Sequence, residues 1–128
     1  MLLLYIALGG GLGAIARYVL GGWVQVATGA TFPWGTLLIN VSGSLLLGFL
    51  YVLLEGSPAA REWRAFVGIG FCGGYTTFSS FSLQTLNLVN DGEWLYAGAN
   101  ITLSVVLCLV AVWAGHLLAV SLNSMKWV

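Results

Sequence analysis

Gly73-Gly74-Tyr75-Thr76-Thr77-Phe78-Ser79-Ser80-Phe81 places a glycine pair, a tyrosine, four threonine and serine hydroxyls and two phenylalanines three residues apart inside a long apolar run. Largely apolar sequence flanks it, from Trp63 to Gly70 and from Leu83 to Val89. Glycine loses the most backbone freedom on ordering and weakens a helix. Thr76, Thr77, Ser79 and Ser80 can bond to local backbone and compete with the helical ladder. The segment therefore reads as a membrane helix interrupted near its midpoint, with helical bonding expected to fail over 73–77. Irregular backbone at that depth is tolerated only where protein buries it or where it lines a wet cavity. In transporters such breaks hold ions.

Composition supports a bilayer setting. Hydrophobic residues make up 59% of the 128 and charged residues only 6%, against about a quarter charged in soluble domains. A surface so poor in charge does not stay in water, so an all-α integral membrane fold is expected. The net charge of zero argues against nucleic-acid binding, which needs clustered Lys and Arg. Cys72 and Cys108 show no ligand spacing and are expected to be free thiols.

Outward from the break, the chain reads as one four-span domain over 1–128, with spans at about 2–26, 34–54, 63–89 and 94–120. The third is longer than the roughly 20 residues a straight crossing needs, as an interrupted span would be. In the first span Gly9, Gly13, Arg17 and Gly21 recur every fourth residue and share a face. Gly9-x-x-x-Gly13 is a small-residue packing face. Arg17 is costly inside a span, and either supports a functional or structural pair or snorkels to the interface. The second span carries a polar stripe of Thr36, Asn40, Ser44 and Gly48. Asn40 needs partners at that depth and reads either as interhelical glue or as a pore-lining donor, the whole stripe favouring the pore. Asn100, Ser104 and Cys108 form a similar stripe in the fourth span. Gly29 and Pro33 mark one turn, Asn90 to Glu93 another, and Glu55 to Arg64 is a charged connector. Lys126 and Trp127 are expected interface anchors. Arg61, Arg64 and Lys126 lean the termini towards the cytoplasm by the positive-inside rule, an excess that Arg17 partly offsets.

No catalytic set is present, and all four acids fall in loops or at span ends. An enzyme is not expected. A proton-coupled transporter normally needs an intramembrane carboxylate or a histidine chain. What remains is a passive path lined by hydroxyls, an amide and aromatic rings. Hydroxyl and amide hydrogens can donate to an anion, and a phenyl ring offers it a positive edge.

GGYTTFSSF closely resembles the GG-x-TTFS-[ST]-F signature of the Fluc fluoride channels, also called the CrcB family. G-x-x-x-R in the first span, P-W-G-T-L-x-x-N opening the second and N-x-x-x-S in the fourth are similar too. The resemblance covers about Leu4 to Val120. It implies an antiparallel, dual-topology homodimer in the inner (plasma) membrane, with two passive pores that export cytoplasmic fluoride. By resemblance, Phe78 and Phe81 line the pores, Asn40 is the pore-facing asparagine, Thr77 and Ser80 belong to the fluoride pathway, and Ser104 lies on a polar track. Gly73 and Thr76 match positions whose carbonyls hold a structural sodium ion at the dimer axis. Arg17 is a supporting residue. Asn100 and Cys108 stand where some members carry tyrosine and serine, and Gln84 where many carry glutamate. A small multidrug transporter shares the architecture but uses a glutamate in its first span, which is absent here. A non-transporting membrane subunit is the other alternative, and a stable homodimer without a partner would count against it.

Overall fold

The computed structural model describes residues 1–125, and every regular element in them is a helix. Lys126 and Trp127, the expected anchors, lie outside the described residues. Helix α1 spans Leu2–Thr28, α2 Trp34–Leu53, α3 Ala60–Trp63, α4 Gly73–Tyr75, α5 Phe78–Asn90 and α6 Trp94–Met125. A π-helix, Arg64–Cys72, runs without interruption from α3 into α4. Among the described residues, three helices are long and apolar enough to cross a membrane: Leu2–Thr28, Trp34–Leu53 and Trp94–Ser124. Much of their apolar surface is exposed, Leu3, Ile15, Trp23, Leu109 and Trp113 among it. That inverts a soluble protein and suits a bilayer, where a helix satisfies its own backbone and presents side chains to lipid.

The turns follow local chemistry. Gly29 closes α1 in the left-handed conformation, φ 56°, with its N–H on the Gln25 carbonyl at 3.1 Å. The Gln25 side chain then organises the turn. Its amide donates to the carbonyls of Ala30 (2.8 Å) and Phe32 (3.1 Å), and its oxygen accepts from the Gly35 N–H at 3.2 Å. Nothing in the sequence pattern marked Gln25 for this role. Gly92, φ 79°, forms the turn into α6.

The long helices pair by close approach of backbone at glycines. α1 lies along the π-helix and α4, and α2 lies along α6. In both pairs the backbones meet directly. Between α2 and α6, a Cβ on Gly48 would overlap the Val112 carbonyl and one on Gly115 the Leu45 carbonyl. In the pairing of α1, a Cβ on Gly9 would overlap the Phe66 carbonyl, one on Gly13 the Phe71 carbonyl, and one on Gly74 the Gly10 carbonyl. The expected Gly9/Gly13 packing face is therefore filled by the π-helix. That helix was not foreseen, because its wider turns leave no distinct mark in a glycine-rich apolar run.

The interruption is narrower than the sequence suggested. Gly73 and Gly74, expected to be inside it, are helical, and only Thr76 (φ −80°, ψ 157°) and Thr77 (φ −153°, ψ 114°) are extended. The glycine pair does not unwind the helix. Gly74 instead admits Gly10, while Gly73 faces open space. The connector over 55–64 is also partly helical, with α3 feeding directly into the π-helix, and α6 continues past position 120 to Met125.

Candidate functional site

Three local bonds build the interruption. The N–H of Thr77 would reach the Gly73 carbonyl in an unbroken helix. It donates instead to Oδ1 of Asn40 at 2.8 Å. Asn40 Nδ2 donates back to the Thr77 carbonyl at 3.1 Å. One amide side chain thus satisfies both backbone groups of an extended residue. The third bond caps α5. Thr77 Oγ1 accepts from the Ser80 N–H at 3.1 Å, the N-cap arrangement that threonine favours. That N–H would otherwise have gone to the Thr76 carbonyl.

Two clefts meet at this point. The first, about 490 Å³, lies between α2, the π-helix, α5 and α6, and its lining includes Asn40, Thr77, Phe78, Phe81 and Ser104. The second, about 940 Å³, lies between α1, α2 and α5, and its lining includes Arg17, Thr36, Thr77, Ser80 and Gln84. Among the described residues Thr77 is common to both linings, and neither contains an acid. The polar stripe of α2 is therefore shared out. Thr36 faces the second cleft, Asn40 and Ser44 the first, and Gly48 packs on the Val112 backbone of α6. It is not one continuous lining.

Phe78 and Phe81 are neighbours, with ring centroids 5.3 Å apart at 47°. Their settings differ sharply, Phe78 being 78% exposed and Phe81 9%. Behind Phe81 runs a buried polar chain. The hydroxyl of Ser104 donates to Asn100 Oδ1 at 3.4 Å, Asn100 Nδ2 to Thr85 Oγ1 at 2.9 Å, and Thr85 to the Phe81 carbonyl at 2.8 Å. Asn100 is 1% exposed and completes this chain. At 3.4 Å the Ser104 contact is longer than an ordinary O–H···O bond, so Asn100 holds the Ser104 hydroxyl only weakly.

The donors left over face the clefts. Asn40 keeps one amide hydrogen after serving Thr77. Thr77 donates to Ser80 Oγ at 3.0 Å, which leaves the Ser80 hydroxyl hydrogen unspent on that contact. Gln84 is not among the site residues the sequence singles out. It shares the Thr77 and Ser80 face at helical spacing, which was the available signal. Its Oε1 is buried and has no hydrogen-bond partner among the described residues.

The residues named for sodium fit a hard monovalent cation in their chemistry. The amides that would close helical bonds to Gly73 and Thr76 are both turned elsewhere, to Asn40 and to the Thr77 hydroxyl. Two carbonyl oxygens are thereby released on either side of Tyr75. Neutral oxygen donors suit a hard cation of low charge.

The CrcB family model, described as CrcB-like protein, Camphor Resistance, matches residues 4–116. A protein of Opitutus terrae named fluoride-specific ion channel FluC is 56% identical over 130 residues, covering 98% of this chain and 97% of its own. One of the same name from Methylocella silvestris is 58% identical over 126 residues, covering 96% of each. A third, from Rhodospirillum rubrum, is 52% identical over 128 residues, covering 96% of this chain and 98% of its own. These relatives are named as channels and not as enzymes, and with the long apolar helices they make this a multi-pass membrane protein. The chain belongs to the CrcB family, the family of the fluoride-specific ion channels.

Proposed function

We infer that this chain conducts fluoride passively across the inner membrane, exporting it from the cytoplasm, and does so as an antiparallel homodimer with two pores. The observation that carries the reading is the placing of Thr77 on both clefts. Arg17 lines one of them, and Asn40, Phe78, Phe81 and Ser104 line the other. An anion drawn towards Arg17 passes Ser80 and Gln84, reaches Thr77, and continues to the spare Asn40 hydrogen, the Ser104 hydroxyl and the phenyl edges. Fluoride holds water tightly, so the path must offer many donors while binding each ion weakly enough to let it leave. Hydroxyls, an amide and ring edges meet that demand, and the absence of acids from both linings spares the anion like-charge repulsion.

The dimer reading rests on what one chain leaves open. Phe78 is exposed, as is Gly73 beside the interruption. Facing lipid, the released carbonyls would cost several kcal/mol each. A second copy related by a two-fold axis in the membrane plane brings two interruptions together. The run from Ala60 to Asn90 then acts as a fourth, broken span, and the single domain covers 1–128. A sodium ion held by the Gly73 and Thr76 carbonyls would supply fixed positive potential at that junction.

The test is fluoride efflux from liposomes holding the purified protein. Fluoride efflux with chloride retained is expected. No fluoride efflux from correctly assembled protein would overturn the reading. Cysteines placed in the 55–64 loop test the arrangement separately. Efficient crosslinking of two such loops within one isolated dimer would rule out an antiparallel pair.

A further inference from the structure

The residues on either side of Thr76 are tied to α2 by different side chains. On the far side, Asn40 holds Thr77 through both of its backbone groups. On the near side, the Tyr75 hydroxyl lies 2.9 Å from Ser42 Oγ. Between them Thr76 sits on Gly43, where an added Cβ would overlap the Thr76 methyl. Tyr75 is itself well fixed. It is 8% exposed, and its ring stacks on Phe71 with centroids 5.5 Å apart at 15°.

The direction of the Tyr75–Ser42 bond follows from proton count. The single hydroxyl hydrogen of Ser42 is engaged by the Leu38 carbonyl at 2.7 Å. Tyr75 is therefore the donor and Ser42 the acceptor. Nothing in the ion path described above uses either group. Tyr75 occupies the variable position of the GG-x-TTFS motif, so this tie is not part of the motif.

We propose that Tyr75 and Ser42 form a positioning latch that, with Asn40, sets the place of the Thr76 carbonyl and so tunes the affinity of the interruption for a monovalent cation. The proposal rests on the cation reading above. Thr76 is the only residue between the two ties, and its carbonyl is one of the two released from the helical ladder. With the latch intact, neither neighbour of Thr76 can turn without breaking a hydrogen bond. With the latch open, Tyr75 loses its tie to α2, and the Thr76 carbonyl is placed only by Asn40 on the Thr77 N–H and by the bonds of Thr76 to the Cys72 carbonyl, a looser hold.

The proton direction makes the two halves of the latch unequal. Tyr75→Phe keeps the stacked ring and leaves Ser42 bonded to Leu38. Ser42→Ala strands a buried phenol hydroxyl, the more costly defect. The experiment uses purified full-length protein exchanged into N-methylglucamine. Bound sodium is measured by atomic emission and melting temperature is recorded, both against added sodium. Cation binding to the folded state alone raises the melting temperature by mass action. The half-saturating sodium concentration is expected to rise about two- to fivefold in Tyr75→Phe and about five- to tenfold in Ser42→Ala. Adding Ser42→Ala to Tyr75→Phe should change little, and Ser42→Thr, which keeps an acceptor, should restore a value near the parent's. If the variants melt lower at every sodium concentration with an unchanged half-saturation point, the pair is packing only and the latch is overturned. If the parent protein neither binds sodium nor responds to it, the cation reading itself fails, and the latch with it.

Discussion

The two sides of the interruption are held by opposite means. Before it, the π-helix and α4 meet α1 backbone to backbone, across Gly9, Gly13 and Gly74. After it, α5 is held through side chains, by Asn40 on Thr77 and by Asn100 on Thr85. A bilayer gives no hydrophobic drive between helices, so close packing and polar bonds must hold them together. Against α1 the near side uses the first, with a polar tie from Tyr75 to Ser42 of α2 beside it, and the far side uses the second. Close backbone contact leaves no room for an ion, whereas the polar side leaves hydroxyls and amide hydrogens facing clefts. The glycine side fixes where the interruption lies, and the polar side carries its chemistry.

The largest expected effect lies on the glycine side. Gly13→Val puts a branched side chain into the Phe71 carbonyl and the amide of Tyr75, and backbone cannot step aside as a flexible side chain can. A loss of more than about 3 kcal/mol is expected, at the upper end of overpacking. The readout is the yield of monodisperse protein after purification. A normal yield with full flux would show that α1 and the π-helix can part without consequence, and the contrast would collapse.

Next comes the polar side. Asn40→Ala leaves the N–H and carbonyl of Thr77 without their partner, at about 2 kcal/mol in all. It also removes the spare donor of the first cleft. Fluoride efflux should fall at least about tenfold and the melting temperature should drop with it. Unchanged flux would mean that Asn40 is glue alone.

The legibility of the two sides differed for the same physical reason. Gly9-x-x-x-Gly13 was readable as a packing face because helical spacing alone puts those residues on one line. The residues to be met across that line were not readable, since the π-helix sets a different spacing on the partner. The sequence spreads the interruption over 73–77, whereas extended backbone is confined to Thr76 and Thr77. Local propensity makes Gly73-Gly74 a weak point, and tertiary contact overrides it by packing Gly74 on Gly10. Asn40 was legible as a costly amide needing partners, but its use as a two-way clamp depends on a residue 37 positions away. Gln25 is not legible because its partners are backbone groups of an irregular turn, and Gln84 because it works through a cleft that only the fold creates.

Within the polar side the two phenylalanines should separate. Phe81→Ile and Phe78→Ile keep an apolar side chain and lose only the ring edge offered to an anion. Phe81 is buried and its replacement should cost about 1 kcal/mol of stability, whereas Phe78 is exposed on the single chain and should cost almost none. Both should lower fluoride efflux strongly. Loss of flux without loss of stability at Phe78 would mark a ring that contacts the ion rather than the core. Full flux in both variants would reduce the pair to packing.

The smallest effect should appear at a glycine on the same helix as the largest. Gly11 lies between Gly9 and Gly13, yet a Cβ there meets nothing within 4 Å. Composition gives no reason to treat it differently, since all three belong to one glycine-rich run. Contact does, because Gly9 and Gly13 face the π-helix and Gly11 points away from it. Gly11→Ala removes the conformational freedom of the unfolded chain without a clash, so stability should stay level or rise by at most about 1 kcal/mol. Gly9→Ala, measured beside it, should fall, because its single methyl group overlaps the Phe66 carbonyl. Thermal melts of the two purified variants against the parent decide the matter. Opposite signs would show that close approach, and not glycine as such, holds this side of the molecule together. Equal damage at Gly11 would mean that its face is covered by a surface outside this chain, and the backbone-packed region would then extend into the partner.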